Sequence, residues 1–400
     1  MKLVHAFSDP TEVYPEIVSM NGHYIHGVDK TWYDITAGNG CNVFGFTNNY
    51  ITDKIAKTLN KYPNCTWTAK PTIWNELENK ISTRLPTKYT AFIPALSGSD
   101  SIDNALKIVW RCNSNNKVNK DIVLVRKGSF HSGSIIGWKL TNDQRWSFDF
   151  PNVEYVDFYD DNFEEVVNTY KDRICAVIVD TVSWHTGIDS ITDDTIYYIN
   201  KYKNELDYYV IADEIFTGVY RYGSFAHSIE EGINSDIICF GKAITGGFAD
   251  LALTVLSKNV YDTISKNVNE YPLPLAIGNT RSQNTTGAAA AVAMLEYCET
   301  IDINQMYYEA SAFITQIGDL LYTVNEFDVS YRGTTLVCAF DNFGQQQKDD
   351  WQKYFLENGV WNMQTNKIRI NSFYNLIQKE TDKLLETFDD FLSKKIHLKH

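Results

Sequence analysis

The chain has 400 residues, 44% hydrophobic and 22% charged. That suits two domains or one large α/β body with an appendage, and excludes a mainly disordered chain. A net charge of −14 excludes a uniformly basic surface, so no nucleic-acid partner is expected. No run of about 18 apolar residues suggests a membrane span. The opening MKLVHAFSDPTEVYPEIV lacks the apolar core of a secretory signal. Seven scattered cysteines without a C-x-x-C fit reduced thiols in a cytoplasmic setting, and not a disulfide framework or a zinc ribbon.

In chain order, short strands are expected at Tyr24–Val28 and Thr31–Ile35. A helix follows at Ser101–Arg111, then strands at Asp121–Arg126 and Cys175–Asp180. A helix at Thr195–Asn204 precedes strands at Tyr208–Asp213, Asp236–Phe240 and Leu251–Leu256. The first three strands of this middle region are β-branched runs ending in a charge, as in strands buried on both faces. An Ala-rich helix is expected at Thr286–Glu299. Strand–helix alternation predicts an α/β fold with a mostly parallel sheet flanked by helices, whose ligands lie beyond the carboxyl ends of the strands. From about Asp302 the pattern changes to α+β. A helix (Gln305–Tyr322), a strand (Thr334–Phe340), a helix (Gln346–Glu357), a strand (Lys367–Ile370) and a last helix (Lys379–Lys394) follow. The expected division is an N-terminal segment 1–45 joining a small domain, a large domain 46–300, and the C-terminal part of the small domain, 301–400.

Three clusters at strand ends carry chemistry. Ser97-Gly98-Ser99-Asp100 opens a helix, where free amides and hydroxyls suit a phosphate. The plainer alternative is a helix cap made by Ser99 or Asp100. Ile211-Ala212-Asp213-Glu214 ends an apolar strand with two acids, which either meet a ligand or cap the next turn. Phe240-Gly241-Lys242 lies before Gly246-Gly247. Burial there would lower the lysine's pKa and free its amine as a nucleophile, whereas an ordinary lysine is solvated. Together the three supply what pyridoxal 5′-phosphate (PLP) needs. That is a lysine to form the Schiff base, an acid to keep the pyridine nitrogen protonated, and a nest for the phosphate. Phe130, just past a strand end, is the candidate ring to stack on the cofactor.

The stretch Ala212-Asp213-Glu214-Ile215-Phe216-Thr217-Gly218-Val219-Tyr220-Arg221-Tyr222-Gly223 resembles the A-D-E-x-x-T-G-x-x-R-x-G signature of the class III aminotransferases of PLP fold type I. Ser97-Gly98-Ser99 is similar to that family's phosphate turn, and Phe130-His131 to its aromatic–His pair. Gly278-Asn279-Thr280 with Asn284 is similar to the segment in which a neighbouring subunit's threonine reaches the phosphate. The resemblance runs from about Val13 to residue 395. It implies a large domain plus a smaller one built from both chain ends, and a homodimer with shared active sites. The reaction implied moves an amino group from a donor to a keto or aldehyde acceptor through a Lys242 aldimine. Carried onto this sequence, the cofactor contacts are Gly98, Ser99, Phe130, His131, Asp180, Asp213, Ile215, Lys242 and Thr280, with Lys242 and Asp213 catalytic. Arg221 and Arg369 are the implied substrate contacts.

Within the class, Val13-Tyr14-Pro15, the 241–247 stretch and Glu357-Asn358-Gly359-Val360-Trp361 read like the biotin-pathway branch. The departures fall on the substrate shell. Asn39-Gly40 stand where that branch carries a Trp pair, and Met363 stands where it carries an Arg. A mutase or decarboxylase on the same fold, and an inactive PLP-fold binding protein, are the alternative readings.

Overall fold

The structure is a computed structural model that describes residues 15–62, 65, 68–141, 154–185, 187–266, 277–324, 327–339, 345–362 and 367–396. The β-branched runs form a seven-stranded sheet. Its order is Tyr89–Ala95, Ala252–Ser257, Ile237–Phe240, Tyr209–Glu214, Ile174–Val179, Ile122–Arg126 and Glu154–Phe158. Ala252–Ser257 runs antiparallel to both neighbours, and the other pairings are parallel. Ile122–Arg126, Ile174–Val179, Ile237–Phe240 and Ala252–Ser257 are buried at every residue, as strands covered on both faces must be.

Helix Gly98–Asn115 covers one face. Its Ile102, Leu106, Val109 and Cys112 share a core with Val123, Cys239 and Leu256. Helix Thr285–Glu299 covers the other face, its run Ala288–Ala293 buried against a core that includes Phe240 and Leu253. Small side chains let helices Asn49–Lys61 and Thr72–Ser82 pack closely on it.

The N-terminal strands Ile17–Asn21, Tyr24–Gly27 and Thr31–Asp34 form an antiparallel meander. Val360–Trp361 extends it in parallel, pairing Val360 with Tyr33 and Trp361 with Asp34. A three-stranded antiparallel sheet of Asp328–Arg332, Thr335–Ala339 and Lys367–Asn371 lies beside it. Helices Ile303–Tyr322, Gln345–Glu357 and Gln378–Ile396 close over both sheets, burying Phe355, Phe388 and Phe391 in a core shared with Tyr33 and Ile35. Each such phenylalanine contributes about 1.5–3 kcal/mol. No helix among the described residues is long and apolar enough to cross a membrane.

The expected elements are present with ends displaced by a residue or a few. The helix expected at Ser101–Arg111 is the longer Gly98–Asn115, because Ser97 caps it upstream. Strands Tyr89–Ala95 and Glu154–Phe158 were not expected, nor were helices Asn49–Lys61, Thr72–Ser82 and Phe163–Tyr170. Phe340, the expected end of one strand, lies outside the described residues.

Behind the sheet's functional edge, packing leaves no spare volume at Gly218. A methyl there would lie 2.7 Å from Glu214 O and 2.9 Å from Phe240 Cδ1. Gly218→Ala is expected to lower unfolding free energy by about 1–3 kcal/mol through overpacking, read from the urea midpoint. A midpoint equal to wild type would show that this corner can yield.

Candidate active site

A cavity of about 190 Å³ opens at the carboxyl ends of the central strands. Gly98, Ser99, Phe130, His131, Asp180, Asp213, Ile215 and Lys242 all line it. The sequence-selected cofactor contacts are therefore brought together, apart from Thr280, which is exposed and lines neither this cavity nor the one beside it.

Five strand-end segments build the cavity, at 98–99, 130–132, 180–184, 213–217 and 242. In the first, Ser97 Oγ accepts from Asp100 N at 3.2 Å and donates to Asp100 Oδ2 at 3.0 Å. Ser97 is thus the helix cap, which corrects the expectation of Ser99 or Asp100. The first intrahelical donor is Ser101 N, to Ser97 O at 3.1 Å, so the Gly98 and Ser99 amides precede the helical ladder at its positive end. Ser99 Oγ accepts from Gly133 N at 3.1 Å.

In the second loop, His131 Nδ1 lies 2.7 Å from Asp213 Oδ2, with both side chains buried. Asp213 Oδ1 also accepts from Ile215 N at 3.1 Å. Burial pushes the His131 pKa down, but the hydrogen bond and charge of Asp213, with the charge of Asp180, outweigh it and raise it. Its Nε2 is buried without a partner among the described residues. Asp180 accepts from Ser129 Oγ at 2.5 Å. The adjacent Glu214 faces away from this chemistry. It takes hydrogen bonds from Thr217 Oγ1 (2.5 Å) and Ser228 N and pins the turn that follows the strand.

The last of these segments carries Lys242 in the left-handed region, at φ 42°. That backbone costs a non-glycine residue about 1–2 kcal/mol, and such strain concentrates at functional positions. Its Nζ lies 5.5 Å from the Trp184 ring centre and 5.4 Å from that of Phe216, whose rings stack at 4.9 Å. Among the described residues Nζ has no hydrogen-bond or ion-pair partner. Burial lowers its pKa, against the opposing charges of Cys41 and Asp213. Trp184 and Phe216 were not singled out from the sequence. The only available signal was two aromatics just past strand ends, among small and polar residues.

Trp184 is shared with a second cavity of about 240 Å³, lined by Asp34, Asn39, Trp361, Asn362, Arg369 and others. The Arg369 guanidinium carbon sits 4.4 Å over the Trp184 ring, and Nη2 donates to His185 O at 2.9 Å. No acid pairs with it among the described residues, and burial lowers its pKa to about 10. The wall carrying Asn39 is a run of left-handed residues, Ala37 to Gly40, with φ of 46°, 58°, 56° and 81°. Asp34 holds that run, accepting from Thr36 N, Thr36 Oγ1 and Gly38 N at 2.7–2.8 Å. Met363 lies outside the described residues.

Arg221 is placed differently from expectation. It is 0% exposed and lines neither cavity. Its Nη2 donates to Gly40 O at 2.8 Å and its Nη1 to Ser372 O at 3.1 Å. Both ends of the fork are occupied by backbone, so its role here is to tie the Gly40 loop to the chain after the Lys367–Asn371 strand. Arg221→Met strands two carbonyls and should lower unfolding free energy by about 1–3 kcal/mol in urea titration. An unchanged midpoint would return Arg221 to the candidate ligand contacts.

A family model for aminotransferase class-III matches residues 9–392. The adenosylmethionine-8-amino-7-oxononanoate aminotransferase of Staphylococcus aureus is 26% identical over 283 residues, and the match spans 62% of each chain. The acetylornithine aminotransferase of Archaeoglobus fulgidus is 24% identical over 91% of this chain and 92% of its own. Among solved structures, the adenosylmethionine-8-amino-7-oxononanoate aminotransferase of Methanocaldococcus jannaschii superposes with a TM-score of 0.88 at 18% identity, covering 98% of this chain and 97% of that one. An omega transaminase of Pseudomonas jessenii in complex with PMP superposes with the same score at 16% identity, over 99% and 97%. The sheet order, the strand-end cavity and a family match over nearly the whole length agree, and the chain belongs to the class III aminotransferases, PLP-dependent enzymes of fold type I.

Proposed function

We propose that Lys242 joins PLP covalently through its Nζ, and that the enzyme moves an amino group from an amine or amino-acid donor to a keto or aldehyde acceptor. The observation that carries this is a strained lysine of lowered pKa, with no hydrogen-bond or ion-pair partner among the described residues, sharing one cavity with a buried Asp–His pair and the start of a long helix. The donor set fits the cofactor. The Gly98 and Ser99 amides and the Ser99 hydroxyl suit a phosphate. Asp213, oriented by His131, suits a protonated pyridine nitrogen. Ile215 and Phe130 suit the two ring faces, and Asp180 lines the same cavity. When bound, PLP supplies an electron sink for the bonds of the substrate's amine-bearing carbon. Once the substrate's amine had displaced it from the cofactor, the freed Lys242 Nζ would carry the proton to and from that carbon.

The substrate shell supports a departure from adenosylmethionine-8-amino-7-oxononanoate aminotransferase. Asn39 offers the second cavity a short amide where that branch places aromatic area, and losing one buried aromatic contact is worth about 1.5–3 kcal/mol. Arg369, without an acid partner among the described residues and stacked on Trp184, suits a carboxylate, so we favour a compact amino acid as the donor. We also propose the division 1–45, 46–300 and 301–400, supported by the Thr31–Asp34 strand pairing with Val360–Trp361. The seven unpaired cysteines support a cytoplasmic setting.

The test is half-transamination, following the visible band of the holoenzyme through a panel of donors. Lys242→Ala should lose both the borohydride-fixed adduct and turnover, and the wild-type adduct should map to the peptide containing Lys242. A label on another lysine would overturn the assignment.

A homodimer with shared sites is the further expectation, since Thr280 is exposed on its own chain and is available to a second copy. Sedimentation should give twice the chain mass, and Thr280→Ala should weaken PLP retention by about three- to tenfold for one lost hydrogen bond. A monomer retaining PLP with full affinity would contradict it.

A further inference from the structure

The second cavity has more polar capacity than a carboxylate anchor uses. Asn362 lines it and is 1% exposed, yet neither its Oδ1 nor its Nδ2 meets a partner among the described residues. Arg369 Nε is likewise buried and without a partner there. The acid of the same wall is already consumed, because both Asp34 oxygens accept from the Thr36–Gly38 turn. Asn371 Nδ2 is spent on Thr36 O at 3.0 Å. What stays idle is a fixed cation and an amide able both to donate and to accept. A buried amide with its whole hydrogen-bonding capacity idle is costly, and proteins keep one where a ligand or water completes it.

We propose that Asn362 is a specificity-determining residue that reads a second polar group beside the carboxylate held by Arg369. That group is an amino or hydroxyl substituent on the carbon next to the carboxylate. The inference rests on the Arg369 reading given above. The substrate is then an amine whose far end is an α-amino or α-hydroxy carboxylate, joined to the reacting amine by a spacer that passes Trp184. Asn362 Oδ1 accepts from the substituent, and Nδ2 donates to it when it is a hydroxyl.

The holoenzyme tests this with two ligands that carry no transferable amine, pentanoate and 2-hydroxypentanoate. Their affinities are read by titration calorimetry and by competition with the amino donor. Wild type should bind the hydroxy acid about three- to tenfold more tightly, the return on one net hydrogen bond. Asn362→Leu should bring that ratio to about one while leaving pentanoate affinity unchanged. Asn362→Asp keeps the shape but adds a charge, and should weaken both acids together; melting temperatures report whether each variant folds. Arg369→Met should weaken both acids equally. A wild-type ratio of one, or a ratio that survives Asn362→Leu, overturns the inference and means that water alone completes Asn362. Unchanged pentanoate binding in Arg369→Met overturns the carboxylate reading itself, and the inference falls with it.

Discussion

The side chain of Ile215 sets the spacing of everything at the strand ends. A methyl on Gly98 would lie 2.8 Å from Ile215 Cγ2, and one on Gly241 would lie 3.1 Å from the same atom. The Gly241 methyl would also stand 3.5 Å from Gly98 Cα. Ile215 is therefore held against two bare backbones, and three loops from separate strands converge on it. One brings the helix start, one brings Asp213, and one brings Lys242. The sheet order makes this convergence possible. The antiparallel Ala252–Ser257 strand fits between Tyr89–Ala95 and Ile237–Phe240, leaving their carboxyl ends on one side. Any side chain at Gly98 or Gly241 would push these loops apart before it changed any chemistry.

The second cavity of this acidic protein is short of free negative charge. Lys242, Arg221 and Arg369 all have their pKa lowered by burial, and none of the three has an acid partner among the described residues. Asp213 is engaged by His131, and Asp34 by the turn it holds. In the second cavity Arg369 therefore meets no free carboxylate among the described residues, which favours an anionic group entering from water, because a low-dielectric cleft concentrates the field of the charges that line it. A carboxylate fits that field. The cost is borne by the apolar cores around the two sheets, where backbone strain at Lys242 and at Ala37 is small against many buried aromatics.

The parallel strands were legible because burial on both faces demands apolar β-branched runs, and Ile174–Val179 and Tyr209–Glu214 meet that demand openly. Tyr89–Ala95 was not legible, since Pro94 and a mostly half-buried pattern weaken its signal, and Glu154–Phe158 is an edge strand with acidic residues. Most of the residues selected for the cofactor fall in one cavity because phosphate, pyridine and imine chemistry each ask for a residue type at a strand end. Arg221 shows the limit of that reasoning. A guanidinium suits a carboxylate and a pair of backbone carbonyls equally well, and only its surroundings decide. Trp184 could not be read at all, because an aromatic that divides two cavities looks in sequence like any other aromatic past a strand.

The two cavities draw on different stretches of the chain. The first is built between Gly98 and Lys242, and its antiparallel supporting strand ends at Ser257. The second takes its walls from Met20–Phe46 and Trp361–Asn371, segments more than 300 residues apart. During synthesis, the residues that line the first cavity are therefore all present once about two thirds of the chain has been made. The second cavity waits for the last strand, and the Thr36 end of its early wall stays without its Asn371 contact until then. A nascent chain stalled after Ser257 would carry every residue that lines the first cavity, but neither the Thr285–Glu299 helix that covers the sheet nor the late wall of the second cavity.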